Sequence, residues 1–178
     1  MSNRSYHPSI PSYLKREWPH KLLCIGSIAY DSIITPFGHA DKALGGSATY
    51  FSLASSLFAP TTLVAVVGSD FKDLDMFKKR GIDVSGVDVK KGKTFHWAGK
   101  YHFDLNTRDT LKTKLGVFAN FKPKLSNKHR QSQYVFLGNI HPKLQLEVLR
   151  QIEKPKLVGL DTMNFWIENA LSDLKAVM

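Results

Sequence analysis

Residues 45–59 read GGSATYFSLASSLFA and join two structural signals. From Ala48 onward the residues are good or acceptable helix formers, with Tyr50, Phe51, Leu53, Ala54, Leu57 and Phe58 recurring at helical spacing. That pattern predicts a helix over residues 48–58. Gly45 and Gly46 add nothing to such a helix and cost backbone entropy. Glycine is useful where the chain turns at positive φ or where something must approach the backbone closely. A helix N-terminus also offers N–H groups and a partial positive charge. Two readings of the glycine pair follow. One is a small polar pocket for hydroxyls or an anion; the other is a tight strand-to-helix turn with no ligand.

On either side of this stretch the chain alternates strand and helix signals. KLLCIGSIAYDSIIT (residues 21–35) reads as a buried strand ending near Gly26, a turn, and more extended chain from Ser32. LVAVV (63–67) is a second buried strand, closed by Gly68-Ser69-Asp70. FKDLDMFKKR (71–80) reads as a short amphipathic helix stopped by Gly81, with Leu74 and Phe77 on its apolar side. From Thr94 to Phe103, Phe95, Trp97, Gly99, Tyr101 and Phe103 recur with period two, which predicts a strand with one aromatic face. Its expected partner is Thr110–Asn120, across the turn-prone LNTRD at 105–109. YVFLG (134–138) and KLVGLD (156–161) read as further core strands, Leu144–Ile152 as a helix between them, and Glu168–Met178 as a last helix. The alternation is that of a doubly wound α/β sheet. Polar residues cluster after the strands: Asp31, Ser69, Asp70, Asn139, and Asp161 through Asn164. Ligands in such folds sit beyond the carboxyl ends of the strands.

The 178 residues suit one domain with a sizeable core, and 43% are hydrophobic, which excludes a disordered chain. Cys24 is the one cysteine and lies in an apolar run, so it reads as a buried structural thiol, consistent with a reducing, cytoplasmic location. No apolar run reaches the ~18 residues that span a bilayer. The first 20 residues lack a secretory h-region and read as a flexible leader. The net charge is +10, with basic runs at Lys78–Arg80, Lys90–Lys93 and Lys122–Arg130. These runs lie in apparent turns without regular aromatic interleaving, so solvated loops are favoured over a nucleic-acid face. A basic RNA-binding domain ranks last among the functional readings, and no membrane partner is expected.

Four segments resemble the ribokinase-like (PfkB) family of sugar and nucleoside kinases. CIGSIAYDSI (24–33) resembles the first strand with its substrate-contacting aspartate. GGSATYFSLA (45–54) resembles the glycine pair and helix of the first signature. LVAVVGSDF with RGIDVSGV resembles the second strand, its Gly-x-Asp turn and the next strand entry. DTMNFW (161–166) resembles an Asp-x-Asn segment at a later strand end. The order and spacing of the four agree over about residues 21–166.

The resemblance implies a Rossmann-like, doubly wound α/β domain over 21–178 with a small β lid, its segments at about 32–44 and 94–120. It implies that Asp31 accepts hydrogen bonds from sugar hydroxyls and that Gly45 and Gly46 let them approach the backbone. Asn164 is a further substrate contact on the same grounds. Tyr50 stands where the family often has a substrate-holding Asn, so the identity of the sugar does not carry over. For the aromatic strand, a lid that covers the sugar and builds a homodimer interface stands beside an ordinary sheet face. His96 and His102 are expected on the lid surface.

The full-length family enzyme uses ATP and Mg2+. Its catalytic C-terminal half carries a Gly-rich turn followed by an aspartate that supplies the general base. Residues 130–178 contain no such turn; Asp161-Thr162-Met163-Asn164 is the nearest segment and has no glycine. The expectation is therefore the N-terminal part of a sugar or nucleoside kinase, inactive alone and binding no cofactor by itself, with no catalytic residue assigned. The alternative is a non-catalytic sugar-binding or regulatory module.

Overall fold

A computed structural model describes residues 21–178; the leader expected at 1–20 lies outside the described residues. The first half of the chain contains β1 (Leu22–Ile25), β2 (Ala29–Thr35), β3 (Gly38–Gly45), α1 (Ser47–Ser55), β4 (Thr61–Gly68), α2 (Leu74–Lys79) and β5 (Asp83–Lys90). There follow β6 (Phe95–Tyr101), β7 (Arg108–Lys114), α3 (Asn127–Arg130), β8 (Tyr134–Leu137) and α4 (Pro142–Leu149). β9 (Leu157–Leu160), α5 (Asn164–Asn169) and α6 (Leu171–Val177) complete the order.

Five strands form a parallel sheet in the order β5-β4-β1-β8-β9. Alternate residues of its strands feed two cores. Leu23, Ile25, Val64, Val66, Val135 and Leu137 face Val148 of α4 and Leu174 and Val177 of α6. Cys24, Leu63, Ala65 and Val67 face Ala48 of α1 and Phe77 of α2. Both faces are covered, which is why β4 reads as one continuous apolar run. Cys24 is fully buried, and burial pushes its thiol well above the ordinary range, as a structural thiol requires.

The second sheet, β3-β2-β6-β7, is built from the two segments that bracket the core units. β2 runs antiparallel to β3 and parallel to β6, and β6 runs antiparallel to β7. Asp70 straps it to the core sheet. Its Oδ1 accepts from the Thr94 N–H and hydroxyl, both at 2.8 Å, and the Thr94 hydroxyl oxygen accepts from the Gly68 N–H at 3.0 Å. Partial burial works against the Asp70 charge, but the Thr94 hydrogen bonds and the Lys93 ammonium outweigh it and hold the carboxyl below its ordinary value of 3.8. The stabilisation is complete above that value and is lost as pH falls through the lower folded-state pKa. Asp70→Ala is expected to lower stability by about 1–2 kcal/mol at neutral pH. Urea unfolding from pH 7 down to the acid range should show the deficit closing; a pH-independent deficit would remove the charge from this account.

Three expectations are corrected. The last helix is two, because the backbone at Ala170 leaves helical space (φ −142°) between α5 and α6. The partner of the aromatic strand ends at Lys114, and residues 116–120 wind into a 3-10 turn whose Phe118 stacks on Phe121, the residue that follows it (centroids 5.5 Å apart). The helix expected over 48–58 ends at Ser55 and residues 56–58 turn away; its fully buried residues are Ala48, Thr49 and Ser52, Phe51 stacks on Phe136 of the core, and Tyr50 and Phe58 are about three-fifths exposed. Small residues let α1 lie close on the sheet, and their hydroxyls are satisfied locally: Thr49 donates to the Gly45 carbonyl at the end of β3 and Ser52 to the Thr49 carbonyl.

Candidate functional site

The two glycines sit where β3 hands over to α1. Gly45 is the last residue of β3 and pairs with Ala29 of β2. Asp31, two residues further along β2, lays its carboxylate over Gly45, in the space that a Cβ would occupy. Gly46 caps α1 with φ 97° and ψ 143°, a conformation that glycine adopts without strain. A Cβ on Gly46 would also run into the Ser27 carbonyl. Ser27 secures the start of the helix: its carbonyl accepts from the Ala48 N–H at 3.0 Å and its hydroxyl oxygen from the Ser47 N–H at 3.2 Å. The tight turn and the close approach are thus both present, and what approaches Gly45 is the Asp31 carboxylate.

Asp31 is half-buried, and among the described residues no donor hydrogen-bonds its carboxylate. Burial raises its pKa, and the nearby His96 acts in the opposite direction. His96 is held by Ser32, with its Nε2 3.0 Å from the hydroxyl. In register beside Asp31, on β6, stands Trp97. The Trp97 ring lies over Gly99, donates from Nε1 to the Thr110 hydroxyl at 3.3 Å and meets Tyr101 edge-on at 6.4 Å. An undercompensated carboxylate beside an aromatic face can accept hydrogen bonds from adjacent hydroxyls while a flat or apolar group packs against the rings.

Tyr50 reaches the same neighbourhood from α1, but its hydroxyl donates to the Leu44 carbonyl at 2.7 Å and ties the helix to β3. Its oxygen retains acceptor capacity only. Asn164 is exposed at the first turn of α5, after β9, and no hydrogen bond joins it to Asp31, Gly45, Gly46 or Tyr50. The structure therefore brings Asp31, Gly45 and Gly46 together and places Tyr50 beside them as a clamp, while no hydrogen bond ties Asn164 to that cluster. Ser27 and Trp97 join this neighbourhood without a signal in the sequence. A serine after a core strand gives no local signal, and the Trp97–Asp31 pairing joins segments 66 residues apart through register alone. Among the described residues no three His, Cys, Asp or Glu side chains converge to hold a metal ion. No helix among them is long and apolar enough to cross a membrane.

No family model matches the chain. A cytidine kinase from Thermococcus kodakarensis is 28% identical over 143 residues, which cover 79% of this chain and 50% of that protein. The nucleoside kinase of Methanocaldococcus jannaschii, a ribokinase-family member, matches with TM-score 0.67 and 19% identity over 89% of this chain and 57% of that one. A Burkholderia thailandensis nucleoside kinase in complex with inosine matches with TM-score 0.56 and 18% identity over 73% of this chain and 49% of that one. A Cryptococcus neoformans ribokinase in complex with ADP matches with TM-score 0.53 and 15% identity, over 66% of this chain and 40% of that one. The likeness to the solved structures is one of fold. The chain spans about half the length of the curated relative it matches.

Proposed function

We propose that this chain, whose fold is that of the ribokinase-like kinases, forms the acceptor-binding side of a kinase that phosphorylates a nucleoside or sugar hydroxyl. The observation that carries the reading is the Asp31 carboxylate, half-buried over Gly45 and without a donor among the described residues. Two adjacent ribose hydroxyls would supply the missing donors, and an ionised carboxylate is a strong acceptor for both. Gly45 lets the Asp31 carboxylate lie close over the backbone, and Gly46 makes the turn beside it, so the carboxylate is held at the start of α1 where an acceptor can reach it. Trp97 and its aromatic neighbours offer a face for the rest of the acceptor. The cytidine kinase relative and the inosine-bound neighbour favour a nucleoside over a free sugar.

Phosphoryl transfer also needs a base near the accepting hydroxyl and an electrostatic clamp on the γ-phosphate. Residues 130–178 hold no Gly-rich turn with an aspartate. On this reading the base and the clamp on ATP and Mg2+ come from outside these residues. A homodimer through the second sheet would cover the exposed Phe37–Phe103 pair (ring centroids 5.5 Å apart).

The test incubates the purified chain with cytidine, inosine or ribose, with and without ATP and Mg2+. Saturable acceptor binding without phosphorylated product is expected. Absence of binding to all three overturns the acceptor site, and ATP-dependent product overturns the division of labour.

A further inference from the structure

At the other end of the core sheet from Gly45, a cavity of about 260 Å³ opens where β1, β4 and β8 begin. Its walls include Lys21, Thr62, Lys128, His129, Ser132 and Gln133. It lies on the side that doubly wound folds do not use for their main ligand, and it shares no residue with the acceptor site. Its polar groups are poorly served by the protein. His129 is 7% exposed and Thr62 5% exposed, and among the described residues neither side chain makes a hydrogen bond. Gln133 Oε1 is buried without a partner. Lys21 has no ion pair among the described residues, whereas Lys128 meets Asp83 at 3.0 Å.

We propose that this cavity binds a small phosphomonoester. The donor set is two ammonium groups, two hydroxyls and an imidazole, which suits a multivalent oxyanion. The volume falls below the range of drug-sized sites and suits a compact ligand. Asp83 faces Lys128 and is engaged by the Ser85 N–H at 2.9 Å, so its charge is shared before any ligand arrives.

The test titrates the whole chain calorimetrically with glycerol 3-phosphate, with glycerol as the control. Binding of the phosphate ester and none of glycerol is expected. The Lys21→Ala/Lys128→Ala variant removes two charged donors that reach solvent, and should bind at least about tenfold more weakly. Asp31→Asn should bind as the parent does, which separates this site from the acceptor site. The His129 ring resonances should move on binding. No binding by the parent, equal binding by the double lysine variant, or loss in Asp31→Asn overturns the proposal.

Discussion

Replacing Gly46 with alanine is expected to lower the unfolding free energy by about 2–4 kcal/mol. Two costs combine at this residue. Its φ of 97° lies outside the region open to side-chain-bearing residues. A Cβ there would also meet the Ser27 carbonyl, which cannot retreat without losing its hydrogen bond from the Ala48 N–H. That bond anchors the N-terminus of α1 to the end of β1, so the strain falls on the junction between core and second sheet. Urea unfolding of Gly46→Ala against the parent measures the effect. A change within about 0.5 kcal/mol, the range of an ordinary surface substitution, would contradict this account of the turn.

Asp31→Asn is expected to separate binding from stability. The amide keeps the shape of the carboxylate but loses the charge that strengthens hydrogen bonds from hydroxyls. Two such bonds weakened amount to about 2–3 kcal/mol, or roughly a hundredfold loss of nucleoside affinity. The fold should not suffer. Asp31 has its pKa raised by burial, so its charged form is less comfortable in the folded chain than in the unfolded one. Its contribution to stability is therefore complete below the unfolded-state value and is lost as pH rises through the folded one. At neutral pH the neutral amide should leave the melting temperature unchanged or raise it. Cytidine titrations with parallel thermal melts read both effects. A variant that binds as the parent does, or loses binding only because it unfolds, would remove Asp31 from the acceptor site.

The core of this fold is legible in the sequence because burial on both faces writes continuous apolar runs. LVAVV and YVFL announce β4 and β8 directly, and the period-two aromatics announce β6. The packed face of α1 is not legible. Its largest apolar residues suggest one side, yet its fully buried residues are Ala48, Thr49 and Ser52, and of the large ones Phe51 stacks on Phe136 of β8 while Tyr50 stays exposed. The break at Ala170 is equally hidden, since alanine favours helix and the interruption is tertiary. For the site, the glycine pair signalled a special backbone, and the family resemblance supplied Asp31 as its companion. The reason for the companionship is a contact between β2 and β3 that no local pattern contains. Likewise, the donor-rich cavity at the opposite end of the sheet gathers residues from three separate stretches, Lys21, Thr62 and Lys128–Gln133, and leaves no motif behind.

The most direct test of the acceptor site is a crystal structure of the chain with inosine. The account predicts ribose hydroxyl oxygens at about 2.5–2.7 Å from the Asp31 carboxylate, with the sugar against Gly45 and Gly46. Inosine bound elsewhere, or bound beside the glycines with the Asp31 carboxylate unengaged, would contradict it.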